Sequence, residues 1–137
     1  MKNFLFIALI FSFNLAQDGS AVYWNSLATD VTVGVPLVDD PTLIGGRIQV
    51  KVSFNGGKSY NEMGEIFEIE KGDIDDVKNV SIAANIFESM AGFSEGGKAQ
   101  FIAKVWDRAG NSIEGAVSDS ILTIDETIPI LASLKII

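Results

Sequence analysis

Arg47-Ile48-Gln49-Val50-Lys51-Val52-Ser53-Phe54 is the most diagnostic run in the chain. Ile48, Val50, Val52 and Phe54 alternate with Arg47, Gln49, Lys51 and Ser53. Such period-two patterning marks a half-buried strand, because successive side chains point to opposite faces. Asn55-Gly56-Gly57-Lys58 follows at once and supplies the positive-φ residues that close a hairpin. Further along, Ala99 to Trp106 repeats the pattern, with Ala99, Phe101, Ala103 and Val105 on one face. Upstream, Asp30 to Leu37 does the same with Val31, Val33, Val35 and Leu37. Shorter strands are expected at Glu65–Ile69, where Phe67 and Ile69 share a face, and around Val80 and Ile82. After a turn at Asp107–Asn111, Ala116 to Ile124 is expected to return as a final strand. Only Ala84 to Met90 has helical spacing, with Ile86, Phe87 and Met90. About seven short strands joined by Gly, Asn and Asp turns predict an all-β chain, an antiparallel β-sandwich with one short helical turn. Its core is expected to unite Ile48, Val50 and Val52 with Phe101, Ala103 and Val105.

The two ends of the 137 residues read differently from the middle. Met1-Lys2-Asn3 is a short cationic start, and Phe4 to Leu15 is apolar apart from Ser12 and Asn14. That run suits the apolar region of a secretory signal peptide and is too short for a membrane span, which needs about 20 residues. With small Ala16 at the cleavage position, residues 1–17 are expected to be a signal peptide. The mature protein would then be secreted or held at the cell surface. No Cys follows the apolar run, so a lipoprotein start is excluded. Residues 18–125 are expected to form the sandwich. Glu126-Thr127-Ile128-Pro129 interrupts the strand pattern, since Pro is barred from central strands. Residues 126–137 therefore read as a junction and the truncated first strand of a following domain.

Missing residue types narrow the chemistry. The chain has neither His nor Cys, which removes the Ser/His/Asp triad, the Cys nucleophile, disulfides and the usual zinc, haem and iron–sulfur ligand sets. With 18 Asp+Glu against 10 Lys+Arg and a net charge of −8, it lacks the basic footprint of a nucleic-acid binder. No catalytic residue and no cofactor is assigned, and the expectation is that the chain is not an enzyme.

Three features compete as candidate sites. Glu62, Glu65, Glu68, Glu70, Asp73, Asp75 and Asp76 form the densest charge cluster, and clustered carboxylates are what calcium takes. Asp73, Asp75 and Asp76 are the calcium candidates. A calcium loop of the EF-hand type starting at Asp73 would need Gly at position 78, where the chain has Lys78. A solvated acidic face is the better reading, and no metal is assigned. Gly56-Gly57-Lys58-Ser59 resembles the tail of a phosphate-binding loop, but Val52 stands where the motif needs its first Gly. Ser53 to Tyr60 also resembles an Asp-box, a hairpin motif of propeller blades, and is read as a turn. Trp24 and Trp106, with Tyr23 and Tyr60, are the candidates for a sugar-stacking platform.

Three segments together carry a family resemblance. Phe54 to Tyr60, Ala103 to Ser112 with its Asp107-Arg108-Ala109-Gly110-Asn111 turn, and Leu122 to Pro129 are similar in order and type to bacterial Ig-like domains. These are fibronectin type III-like modules set in tandem on large secreted or surface proteins. Asn55 stands where the family usually has Asp, and Ile128-Pro129-Ile130 departs from its commoner junction. The resemblance implies an extracellular module, a spacer or adhesion domain of a larger exported bacterial protein, rather than a particular ligand. The implied partners are neighbouring Ig-like domains and an unidentified protein or glycan at the cell surface. The alternative is an accessory or carbohydrate-binding domain of a secreted hydrolase.

Overall fold

The alternating segments pair with each other. In a computed structural model of the chain, in which residues 10–13, 22–115, 117–118 and 120–137 are described, β4 (Arg47–Ser53) lies antiparallel to β8 (Lys98–Trp106). Ile48 faces Val105, Val50 faces Ala103 and Val52 faces Phe101. All six expected core residues are buried in one apolar cluster. Each such side chain removed from water contributes about 1.5–3 kcal/mol for Val-to-Phe sizes.

The remaining strands are β1 (Ile10–Phe13), β2 (Val22–Trp24), β3 (Asp30–Leu37), β5 (Asn61–Glu62), β6 (Phe67–Glu68), β7 (Asp76–Ala83), β9 (Ser112–Glu114) and β10 (Leu122–Ile124). They make two sheets. The smaller has the order β1-β3-β7, and the larger β2-β10-β8-β4-β5, with β6 on β4 and β9 on β8. Val31, Val33, Val35 and Leu37 of β3, with Val80 and Ile82 of β7, join the β4 and β8 residues in the same core. The chain is thus all-β and sandwich-like. Its one α-helix among the described residues, α1 (Ala84–Glu88), buries Phe87.

Packing departs from the sequence expectation in four places. The strand expected over 116–124 is regular only at Leu122–Ile124, and Ala116 and Asp119 lie outside the described residues. Before it, Gly115 and Ser118 donate to the carbonyls of Ala103 and Phe101 and so follow β8 irregularly. β2, β5 and β9 add to the expected strands, and at two or three residues each they carry almost no periodicity. The sheets are not wholly antiparallel, since β2 runs parallel to β10. Finally, Gln49 and Ser53, expected on the solvent face, are buried. Gln49 Nε2 donates to the carbonyls of Val50, Met63 and Gly64, so the amide is satisfied where the 61–69 segment folds over β4.

Of the expected signal peptide, only Ile10–Phe13 is described, and its backbone pairs antiparallel with β3. The rest of 1–17 lies outside the described residues. Residues 125–137 form neither strand nor helix, and Ile128, Ile130, Leu131, Leu134, Ile136 and Ile137 are all exposed.

Candidate functional surfaces

The acidic stretch folds into a short 3-10 turn at Lys71–Asp73, between β6 and β7. Asp73 closes a capping box with Glu70: its Oδ2 accepts from the Glu70 backbone N–H at 2.8 Å. Its Oδ1 meets Lys78 Nζ at 3.3 Å. Asp75 holds the turn at φ 58, a left-handed conformation that Asp tolerates better than most residues. Asp76 Oδ1 accepts from the N–H of Val77. These carboxylates shape a turn, and among the described residues no three acidic side chains converge as metal ligands.

The two tryptophans have opposite fates. Trp24 is fully buried, its ring edge-on to Phe87 at 4.9 Å, and its Nε1 donates to Glu88 Oε2 at 3.2 Å. With no ring face at the surface, Trp24 cannot stack a sugar, and this candidate is withdrawn. Trp106 is half-buried on the outer face of the larger sheet. Arg47 sits opposite it in the β4–β8 register, with its guanidinium carbon 4.8 Å from the ring centroid. Lys104, two residues earlier and so on the same face, brings Nζ to 5.0 Å. Two cations therefore attend this one ring, each worth about 0.5–1 kcal/mol at an exposed site. Lys51 on the same face pairs with Glu114 at 3.3 Å. The same face carries carboxylates, since Arg47 lies opposite Glu68, Lys51 opposite Glu62 and Lys104 opposite Glu114 in the strand registers, so a ligand stacking on Trp106 would meet both signs of charge.

The Ser53–Tyr60 hairpin is built from side chain to backbone. Ser53 Oγ accepts from the N–H groups of Asn55 and Gly57 and donates to Asn55 Oδ1. Asn55 Oδ1 in turn accepts from Ser59 N–H, and Gly56 and Gly57 take φ 74 and 87. These polar groups face their own loop, as a folding device requires. Tyr60, of the expected platform, places its hydroxyl 3.4 Å from Gln100 Oε1, six residues along β8 from Trp106. The Asp107–Asn111 turn works similarly. Asp107 accepts from the N–H groups of Ala109 and Asn111 and from the Asn111 amide. The Asn111 amide, above all, holds the Asp107 carboxyl below its ordinary value, and the backbone donors of the turn add to it.

One constellation carries no sequence signal. Glu88 from the end of α1, Glu95 from the loop after it and Glu126 from just beyond the last strand meet where the chain leaves the sandwich. The N–H of Glu126 donates to Glu95 Oε1 at 2.9 Å. Burial, followed by the hydrogen bond and charge of Glu88 and the charge of Glu95, raises the Glu126 carboxyl above its ordinary value. Residues 88, 95 and 126 share no motif spacing, so only the tertiary fold could bring them together.

No protein-family model matches the chain, and comparison with curated proteins finds no match either.

Proposed function

We propose that this chain is a non-enzymatic, Ig-like module that serves as a spacer or adhesion domain of a larger exported bacterial protein. One observation carries the reading. β2 and β10 are parallel neighbours in register, Val22 beside Leu122 and Trp24 beside Ile124. The chain therefore comes into this pair at one end of the sandwich and leaves it at the other. Modules with that polarity string together end to end, whereas adjacent termini would fold a string back on itself. The half-buried Trp106, with Arg47 and Lys104 beside its ring and glutamates opposite them, offers a side surface for a partner. The Ser53–Tyr60 and Asp107–Asn111 hairpins, both bonded internally, support rigidity rather than ligand capture.

Two measurements test this. Expressed with its own N-terminus in a bacterial host, the chain should be recovered outside the cytoplasmic membrane. Full-length product confined to the cytoplasm would overturn export. Two copies fused from Asp125 to Val22 should scatter X-rays as an extended pair, and a folded-back pair would overturn the spacer reading. An accessory carbohydrate-binding role is the second reading, resting on Trp106 alone. A glycan array on which Trp106→Ala abolishes a wild-type signal would favour it.

A further inference from the structure

We propose that the Asn55-Gly56 step in the hairpin between β4 and β5 is a self-modifying site, where the chain converts Asn55 to aspartate without an enzyme. The inference stands apart from the spacer reading, because it needs only this hairpin. Asn55 is the one asparagine of the chain followed directly by Gly. The backbone nitrogen of the following residue is the nucleophile that closes a five-membered ring on the carboxamide. A Gly there puts no side chain in the way.

The hairpin presents both reacting groups. Gly56 takes φ 74, and a Cβ at this position would meet nothing within 4 Å, so its nitrogen is open to solvent. The N–H groups of Asn55, Gly57 and Ser59 are taken up by side chains, whereas that of Gly56 has no acceptor among the described residues. Asn55 Oδ1 accepts from Ser53 Oγ at 2.8 Å and from Ser59 N–H at 3.0 Å. Both lone pairs of the Ser53 hydroxyl are engaged by the N–H groups of Asn55 and Gly57, so its proton is aimed at Oδ1. Ser53 is only 1% exposed, which keeps this donor away from water. Two oriented donors on the oxygen where negative charge develops have the arrangement of an oxyanion hole. The leaving nitrogen, Asn55 Nδ2, lies 2.8 Å from Ser59 Oγ.

Gly56 N gives its proton to solvent base and bonds to Asn55 Cγ, while the carbonyl π pair moves onto Oδ1. That pair returns as the Cγ–Nδ2 bond breaks, and Nδ2 leaves as ammonia with a proton that Ser59 Oγ relays from water. One water then opens the succinimide. Cleavage between Cγ and nitrogen gives aspartate and restores the Gly56 N–H, whereas cleavage at the main-chain carbonyl gives an isoaspartyl linkage. The fold already holds a carboxylate in such a turn: Asp107 accepts from the Asn111 N–H at 2.9 Å and from its side-chain amide at 3.0 Å. Aspartate at position 55 keeps the contacts of Oδ1, and its second oxygen accepts from Ser59 Oγ once that hydroxyl turns. Those bonds become charge-assisted. The isoaspartyl form lengthens the main chain between residues 55 and 57 and works against the bond from Gly57 N–H to Ser53 Oγ, so the hairpin selects aspartate.

The full chain, held in neutral buffer and sampled by peptide mapping, reports asparagine, aspartate and isoaspartate at position 55 separately. Asn55 should convert ahead of every other asparagine, chiefly to aspartate. Ser53→Ala should slow the conversion by roughly tenfold or more, because an oxyanion donor is lost, and Ser53→Thr, which keeps a hydroxyl, should restore it. Ser59→Ala removes the relay, keeps the backbone donor and should slow conversion as well, which serves if Ser53→Ala fails to fold. Loosening of the hairpin alone would speed ring closure, so unchanged or faster conversion in the alanine variants would overturn the proposal. An Asn55 that survives in the folded chain while the same chain in urea converts would show a protected site and overturn it too. Asn55→Asp should melt no lower than wild type; a clearly lower melting temperature would mean that the hairpin rejects the product, against the proposal.

Discussion

Phe87 anchors the short helix, and truncating it to Ala is the most informative single change. A helix of five residues has no stability of its own, since isolated helices below about 12–15 residues are marginal in water. What holds α1 in place is Phe87, fully buried among four aromatic rings. Trp24 and Phe93 meet it edge-on at 4.9 and 5.3 Å, and Phe54 and Phe101 lie at 5.9 Å. Phe→Ala in a packed core costs about 3–5 kcal/mol. The upper half of that range is expected, because four rings lose a partner and each aromatic pair is worth about 0.5–1.5 kcal/mol beyond its area. Against a native stability of about 5–15 kcal/mol, that is a large share. With a urea slope of about 2 kcal/mol per molar, the unfolding midpoint should fall by about 2 M. Urea titration followed by tryptophan fluorescence reads this directly, since Trp24 touches the altered site. Phe87→Leu, which keeps most of the volume, should cost no more than about 1.5 kcal/mol. If Phe87→Ala costs under about 1 kcal/mol, α1 is not docked by this ring and the packing argument fails.

Three further outcomes are expected. Val50→Asp places a carboxylate between β4 and β8, opposite Ala103, and should unfold the chain; a retained melting temperature would refute the strand phase. Asp107→Ala should lower the melting temperature at neutral pH. Because the folded carboxyl is held below its ordinary 3.8, its contribution is complete above that value and fades as the pH falls below it, so the variant and wild type should converge in acid. Glu126→Gln should raise the melting temperature at neutral pH: a carboxyl raised in the folded state is penalised when ionised, and the penalty vanishes below its ordinary 4.5. A Glu126→Gln gain that persists at pH about 3, below that carboxyl's range, would show that charge is not its cause.

Strands long enough to show a period are legible from the residues alone. In β3, β4 and β8 the valines, Ile48 and Phe101 recur at every second position, and burial follows that row because one face of each strand meets the core. Turn chemistry is equally local. Asn55 to Ser59 and Asp107 to Asn111 close loops with hydrogen bonds spanning no more than four residues, so their residue types suffice to announce them. Whatever depends on which distant segments meet was settled by the packing of the whole chain. The pairing of Val22–Trp24 with Leu122–Ile124 joins opposite ends of the sandwich sequence, and three residues carry no period from which to infer it. Trp24 lies in the core because α1 brings Phe87 against it, and that same contact removes it as a sugar platform. Gln49 obeys the alternation and is buried nonetheless, since the segment after the hairpin returns over its face and satisfies its amide with backbone carbonyls. Glu126 meets Glu88 and Glu95 for the same reason. Period and turn type are properties of neighbouring residues, whereas burial of a polar side chain and the meeting of charges depend on chain closure, which only the packed core fixes.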